Sequence, residues 1–498
     1  MAKRPLSGGV YFFKEVWYNT QSSAGVAQLV EHQLPKLGAA GSNPVARSRK
    51  GLESPFCFII TTMRYLDVLK KLYYERPHGK VKLSLGLARI EKLLDLLNNP
   101  HLNYKKIHIT GTNGKGSVTR LIYNSLLESG ERVGAFFSPH LYTFRERIEI
   151  DGKMISEDEV VEVSERVYPA VEKLDSLGDD WRPSFFETLT AMVFEYFRMK
   201  NVDWAVVEVG LGGRLDATNV IVPEVSVIVS VDYDHVGILG NTLSQIAFEK
   251  AGIIKNGIPV VVGETKREPL KVIENVARER RADLHVLERD FFYCGTSLKL
   301  NENRFTYRGY TILKDLILKL NGRHQIDNAS VALRALEVLD KFDEDSIRKA
   351  FSNVVHPGRF EVLNYKGRTI VLDGAHNVSG MRKLAISLED YFPNSDVAAV
   401  IGILDDKDRE SMVDAVHGLI SKAFVTKPKS HRSEKFHEVC EMFRKRKVPC
   451  EVLEKPIEAF EKALKEPSDI VLVAGSLYLV GEIRMVIVEG EVLPEWNI

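Results

Sequence analysis

"IHITGTNGKGS", residues 107–117, decides how the rest of the chain is read. Ile107, Ile109 and Thr110 around His108 favour a strand that stops at Gly111. After it, "VTRLIYNSLLESG" (118–130) sets Val118, Leu121, Ile122, Ser125 and Leu126 at helical spacing. Gly130, with Arg132 and Val133, closes that helix ahead of a second strand in "VGAFF" (133–137). A strand, glycine turn, helix and strand in this order aim backbone N–H groups and a helix N-terminus at an anion. Gly111, Thr112, Asn113, Gly114, Lys115, Gly116 and Ser117 are therefore the expected phosphate-holding loop. Lys115 would supply a point charge to the outer phosphates and Ser117 a hydroxyl ligand for Mg²⁺. The spacing departs from the common G-x-x-x-x-G-K-[ST] loop, because the first glycine lies closer and Gly116 separates the lysine from the serine.

At 498 residues the chain has room for about three domains, or two large ones. Lys plus Arg and Asp plus Glu number 68 each, so no basic field exists for nucleic acid and a small-molecule partner is expected. The hydrophobic share of 44% gives ample core for a globular protein. Cys57, Cys294, Cys440 and Cys450 show no C-x-x-C spacing and are too few to staple so long a chain, so reduced thiols and a cytoplasmic location are expected. Apolar runs such as "VSVIVSV" and "DIVLVAG" fall far short of the roughly 20 residues of a membrane span.

Residues 1–62 differ from the rest. The stretch 22–51 has neither helical nor strand period, and its "GSNP" (41–44) can be encoded by the bases of a transfer-RNA T-arm. The expectation is that the true start lies near Met63 and that residues 1–62 are a non-native extension. Beyond it, strands "WAVVEVG" (204–210), "SVIVSVD" (226–232) and "IPVVVG" (258–263) alternate with helical patterns at 186–200, 243–254 and 270–280. Near-continuous apolar strands separated by helices predict a mostly parallel sheet covered on both faces. Residues 287–319 read as a small antiparallel insertion. A second alternating series, from "RTIVLDGAHN" to "DIVLVAGS", predicts a smaller Rossmann-like α/β domain. The expected division is 63–355 and 356–498.

With "TGTNGKGS", "EVGLGGRLDATN", "EKAGIIK", "GRHQIDNAS", "HPGRFEV", "LDGAHN" and "GSLYLVGE" in this order, the chain resembles folylpolyglutamate and dihydrofolate synthases, of the Mur ligase superfamily. The resemblance implies that ATP activates a carboxylate as an acyl phosphate, which the amine of glutamate then displaces. It implies ATP and Mg²⁺, two ions, with K⁺ as a further candidate, and a monomer acting on folate or dihydropteroate. Rival readings are a Mur-type cell-wall ligase and a P-loop ATPase without ligase activity.

Parallel sheets bind ligands beyond the carboxyl ends of their strands, where Ser117, Glu208 and His235 fall. The resemblance makes these three the metal ligands; from spacing alone His235 reads as a loop histidine, with Asp232 and Asp234 as alternatives. Lys250 resembles the family's carbamylated lysine, which supports the second metal. Arg359 and Asp373 would reach the nucleotide, Gln325 and Asn328 its adenine side, and His376 the incoming glutamate or the reacting carboxyl group. Asn328 also reads as a helix cap. Val378 stands where the family usually has proline. For the folate pocket the resemblance implies Ser138, Arg147, Glu187 and Asp216. Phe185 and Phe186 are of a type that stacks on a pterin, or that fills a core.

Overall fold

The computed structural model describes residues 64–76, 86–430 and 432–498. The expected extension 1–62 and Cys57 lie outside them. Strands β1 (Lys105–Thr110), β2 (Val133–Phe136), β3 (Ile148–Ile150), β4 (Lys153–Met154), β5 (Trp204–Glu208), β6 (Val225–Ile228), β7 (Val260–Val262) and β8 (Leu284–Val286) form one sheet, in the order β4-β3-β2-β5-β1-β6-β7-β8. All neighbours are parallel except at the β2–β3 and β3–β4 pairs of one edge. β5 and β6, on either side of β1, are buried along their whole length, which is why they read as unbroken apolar runs.

β1 leads through the glycine loop into the Lys115–Glu128 helix, which buries Val118, Leu121, Ile122, Ser125 and Leu126, the face its spacing predicts. This helix packs on the Arg323–Val338 and Glu344–Asn353 helices. The insertion is antiparallel: β9 (Phe292–Ser297), β10 (Asn303–Arg308) and β11 (Ile312–Leu318) pair in the order β11-β10-β9. A six-stranded sheet follows, built of β12 (Glu361–Tyr365), β13 (Arg368–Asp373), β14 (Val397–Ile401), β15 (Lys422–Thr426), β16 (Cys450–Leu453) and β17 (Ile470–Ala474). Its order is β12-β13-β17-β14-β15-β16, antiparallel only at β12. The α/β class expected from the sequence is thus observed, with a large P-loop sheet and a smaller Rossmann-like one.

Two expectations are corrected. Cys440 and Cys450 form a disulfide, with Cα atoms 5.6 Å apart. The Phe443–Val448 turn reverses the chain between the His437–Lys445 helix and β16, so a ten-residue separation brings both thiols together without any C-x-x-C spacing. Asn328 is not a helix cap: the helix begins at Arg323, after Gly322 with φ +107°, and Asn328 lies in its second turn. Among the described residues no helix is long and apolar enough to cross a membrane.

Candidate active site

β1 delivers the phosphate loop to the point where its neighbours β5 and β6 diverge in chain order, the usual place for a ligand on an open parallel sheet. The loop is tied to the segment after β6: Thr112 N donates to the Ser230 carbonyl at 2.9 Å and Asn113 N to Ser230 Oγ at 3.1 Å. Gly114 caps the helix with φ +89°, and a Cβ there would lie 2.5 Å from Asn328 Oδ1 and 2.8 Å from Val229 Cγ1. Both the backbone sign and the close approach exclude a side chain. A Cβ on Gly116 would meet His356 Cε1 at 2.8 Å. Lys115 Nζ donates to the Gly111 carbonyl at 3.1 Å and stands 4.0 Å from Glu208 Oε1.

Ser117 and Glu208 are buried beside this loop, and Glu208 Oε2 accepts a hydrogen bond from Ser138 N at 3.3 Å. Burial pushes the Glu208 carboxyl up to about 7, against the pull of Lys115. A divalent cation would reverse that balance. Among the described residues no group of three or more His, Cys, Asp or Glu could hold a metal. One carboxylate and one hydroxyl, completed by phosphate oxygens and water, are nevertheless the oxygen set Mg²⁺ takes in nucleotide sites. His235 lines the same cavity, and burial lowers its imidazole to about 4, so the ring is neutral and able to ligate. Lys250 is 3% exposed, and its side-chain amine makes no hydrogen bond or ion pair among the described residues; burial, then Lys115, bring that amine down to about 7.

The opposite wall comes from the smaller domain. Asn377 caps the Val378–Tyr391 helix through Oδ1, while its Nδ2 reaches Asn113 Oδ1 at 3.1 Å and Asp234 Oδ2 at 3.1 Å. Asp234 also pairs with Lys407 at 2.5 Å and faces His376 Nε2 at 3.6 Å. Burial would raise the Asp234 carboxyl, but His376 and Lys407 hold it well below the usual range. Asp373 accepts from Phe360 N and Ala375 N, each at 2.8 Å, which fixes the turn that carries Ala375 and His376. Arg359 faces the cavity and makes no ion pair among the described residues.

The structure brings the phosphate loop, Ser138, Arg147, Glu208, His235, Lys250, Gln325, Asn328, Arg359, Asp373 and His376 to one cavity of about 690 Å³. Arg147 donates to His140 Nδ1 at 2.8 Å and to Ser138 Oγ at 3.3 Å. Two expected substrate residues lie off the cavity wall. Glu187 is buried against Arg89, with Nε–Oε1 at 3.1 Å, and closes a capping box with Ser184. Asp216 accepts from Leu211 N at 2.8 Å and Thr218 N at 3.0 Å, so it shapes the glycine-rich loop from behind. Phe185 stacks on Tyr73 and Phe186 on Phe136, and neither phenylalanine lines the cavity. Sequence reasoning missed Asn377, Lys407, Lys429 and Trp496. Only Asn377 carried a signal, as the last residue of "DGAHN".

A family model described as the Mur ligase, glutamate ligase domain matches residues 358–477. The chain is 34% identical to the dihydrofolate synthase/folylpolyglutamate synthase of Bacillus subtilis, over 82% of this chain and 96% of that protein. A crystal structure of folylpolyglutamate synthase from Thermotoga maritima is 46% identical and covers 88% of this chain and 100% of that one, with a TM-score of 0.79. The Mycobacterium tuberculosis folylpolyglutamate synthase complexed with ADP is 32% identical, covers 86% and 99%, and gives a TM-score of 0.81. With this identity over nearly the full length of its relatives, the chain belongs to the dihydrofolate synthase/folylpolyglutamate synthase family.

Proposed function

We propose that this chain uses ATP to join L-glutamate to a pteroate or folate carboxylate, releasing ADP and phosphate. The observation that carries the reading is the apposition of the phosphate loop and the "DGAHN" turn in a single cavity. A carboxylate oxygen of the acceptor attacks the γ-phosphorus, and ADP leaves. The amine of glutamate then attacks the acyl carbon, the C–O bond to phosphate breaks, and an amide remains. Both first-step reactants are anions, so the step needs cations and exclusion of water.

Lys115 neutralises the outer phosphates, and Arg359 approaches them from the smaller domain. Gln325 and Asn328 lie on the adenine side, with Asp373 holding the turn that faces the nucleotide. Ser117, Glu208 and His235 would hold Mg²⁺, which when bound neutralises phosphate charge, and carbamylated Lys250 would support a second ion. His376 takes the place nearest the incoming amine, oriented by its Nδ1 contact with the Gly374 carbonyl at 2.8 Å. Ser138 and Arg147 face the acceptor carboxylate. Every group belongs to one chain, so a monomer suffices. A P-loop ATPase without ligase activity would leave the "DGAHN" turn and its neighbours without a task.

The test is to incubate the full chain with Mg-ATP and radiolabelled glutamate, offering dihydropteroate in one tube and a tetrahydrofolate monoglutamate in the other, with and without K⁺. Labelled product is expected from the tetrahydrofolate tube, and product from both makes the enzyme bifunctional. ATP hydrolysis without labelled product in either tube overturns the reading.

A further inference from the structure

The turn Pro494–Asn497 belongs to the smaller domain's end of the chain yet closes a wall of the cavity through Glu495, Trp496 and Ile498. It is held from both halves of the molecule. From the large domain's first helical segment, Tyr65 Oη donates to Glu495 Oε2 at 2.5 Å and Tyr74 Oη to the Ile498 carbonyl at 2.7 Å. From the smaller domain, Lys429 Nζ donates to the Trp496 carbonyl, and the edge of the Trp496 ring lies 3.4 Å from where a Cβ on Gly481 would stand. Ile498 packs on the apolar cluster of the large domain, while Leu141 of the large domain packs into that of the smaller one. Each half thus lends an apolar side chain to its partner's core, and both side chains line the cavity.

This end differs from the nucleotide end. Tyr73 stands near Arg147, Tyr478 and Glu495, Lys429 Nζ lies over the Trp496 ring at 5.8 Å, and Leu69 and Phe144 line the same cavity, so aromatic and apolar side chains are interspersed with cations there. Such a surface suits a flat, partly apolar acceptor that carries a carboxylate, and does not suit a triphosphate.

We propose that the 494–498 segment is a strap that holds the acceptor end of the cavity shut, with Trp496 as the positioning residue for the acceptor substrate. The inference rests on the ligase reading above. Separation of the two halves must break the Tyr65 and Tyr74 hydrogen bonds and expose Ile498, so the strap ties acceptor binding to the closed arrangement. ATP, at the far end, does not depend on it.

The experiment compares wild type, Trp496→Ala, Trp496→Phe and Tyr74→Phe as full chains, with thermal melting to confirm folding. Trp496→Ala should raise KM for the tetrahydrofolate acceptor about tenfold while KM for ATP stays within about twofold, and Trp496→Phe should recover most of the loss. Tyr74 is 68% exposed, so its phenylalanine variant folds; it should raise the acceptor KM by a smaller factor, about twofold to threefold. An unchanged acceptor KM in folded Trp496→Ala, or equal increases for acceptor and ATP, overturns the proposal. A wild-type chain that forms no amide with any acceptor sinks the ligase reading instead, which separates the two failures.

Discussion

Asn113 of the phosphate loop and Asn377 of the smaller domain exchange hydrogen bonds across the cavity, at 3.2 Å in one direction and 3.1 Å in the other. Asn377 does a second job, because its Oδ1 also accepts from Gly380 N at 2.8 Å. Asn377→Ala should therefore lose about 1 kcal/mol of stability from the cap. It should also lower kcat more than Asn113→Ala does. A double-mutant cycle on kcat/KM should give a coupling of about 0.5–3 kcal/mol. Strict additivity would mean that the pair does not hold the halves together during turnover.

Lys250 should carry a carbamate. Its amine is buried and pushed down to about 7, so the neutral, nucleophilic form predominates above that pH and reacts with carbon dioxide. Protein equilibrated with ¹³C-labelled carbon dioxide near pH 8 should show a carbamate resonance that fades as the pH falls below about 7 and is absent in Lys250→Ala. A spectrum identical in wild type and variant would contradict this.

Glu187 should matter for stability and not for substrate binding. Removing one partner of the buried Arg89–Glu187 pair leaves an uncompensated charge, so Glu187→Ala should cost about 3–5 kcal/mol by denaturant unfolding. The KM values of the protein that remains folded should stay within about twofold. A large rise in acceptor KM at unchanged stability would return Glu187 to the site.

The contrast between Glu187 and Glu208 shows what the sequence could and could not reveal. Glu208 ends a fully buried strand next to the phosphate loop, and strand ends of parallel sheets are predictable ligand positions. The loop itself was legible because Gly114 and Gly116 answer local requirements of backbone sign and close approach. Glu187 sits in "SFFET", where the same residue type serves a capping box three positions after Ser184. Its true partner, Arg89, is 98 residues away, and no local pattern encodes such a pairing. The Cys440–Cys450 disulfide and the Trp496 wall were hidden for the same reason. Both depend on where turns deliver side chains, and turns carry no period.

Stability should fall in mild acid. His108, buried in the central strand and bonded to Thr218 Oγ1 at 2.9 Å, is lowered by burial from 6.5 to about 3. Between those values the unfolded chain binds a proton that the folded chain refuses, so the contribution of His108 is constant above pH 6.5 and is lost as pH drops toward 3. His101, lowered to about 4, and His324, lowered to about 3, add to the same trend. Urea midpoints measured near pH 7 and near pH 4.5 should differ less in His108→Gln than in wild type. Equal differences would show that His108 is protonated in the folded chain.

The most direct test of the account follows oxygen. The acceptor is prepared with ¹⁸O in its reacting carboxylate, and the inorganic phosphate released during amide formation is analysed by mass spectrometry. If the phosphate loop activates that carboxylate as an acyl phosphate, each amide formed transfers one ¹⁸O atom to phosphate and keeps the other. Amide formed while the phosphate stays free of label would contradict the mechanism assigned to this cavity.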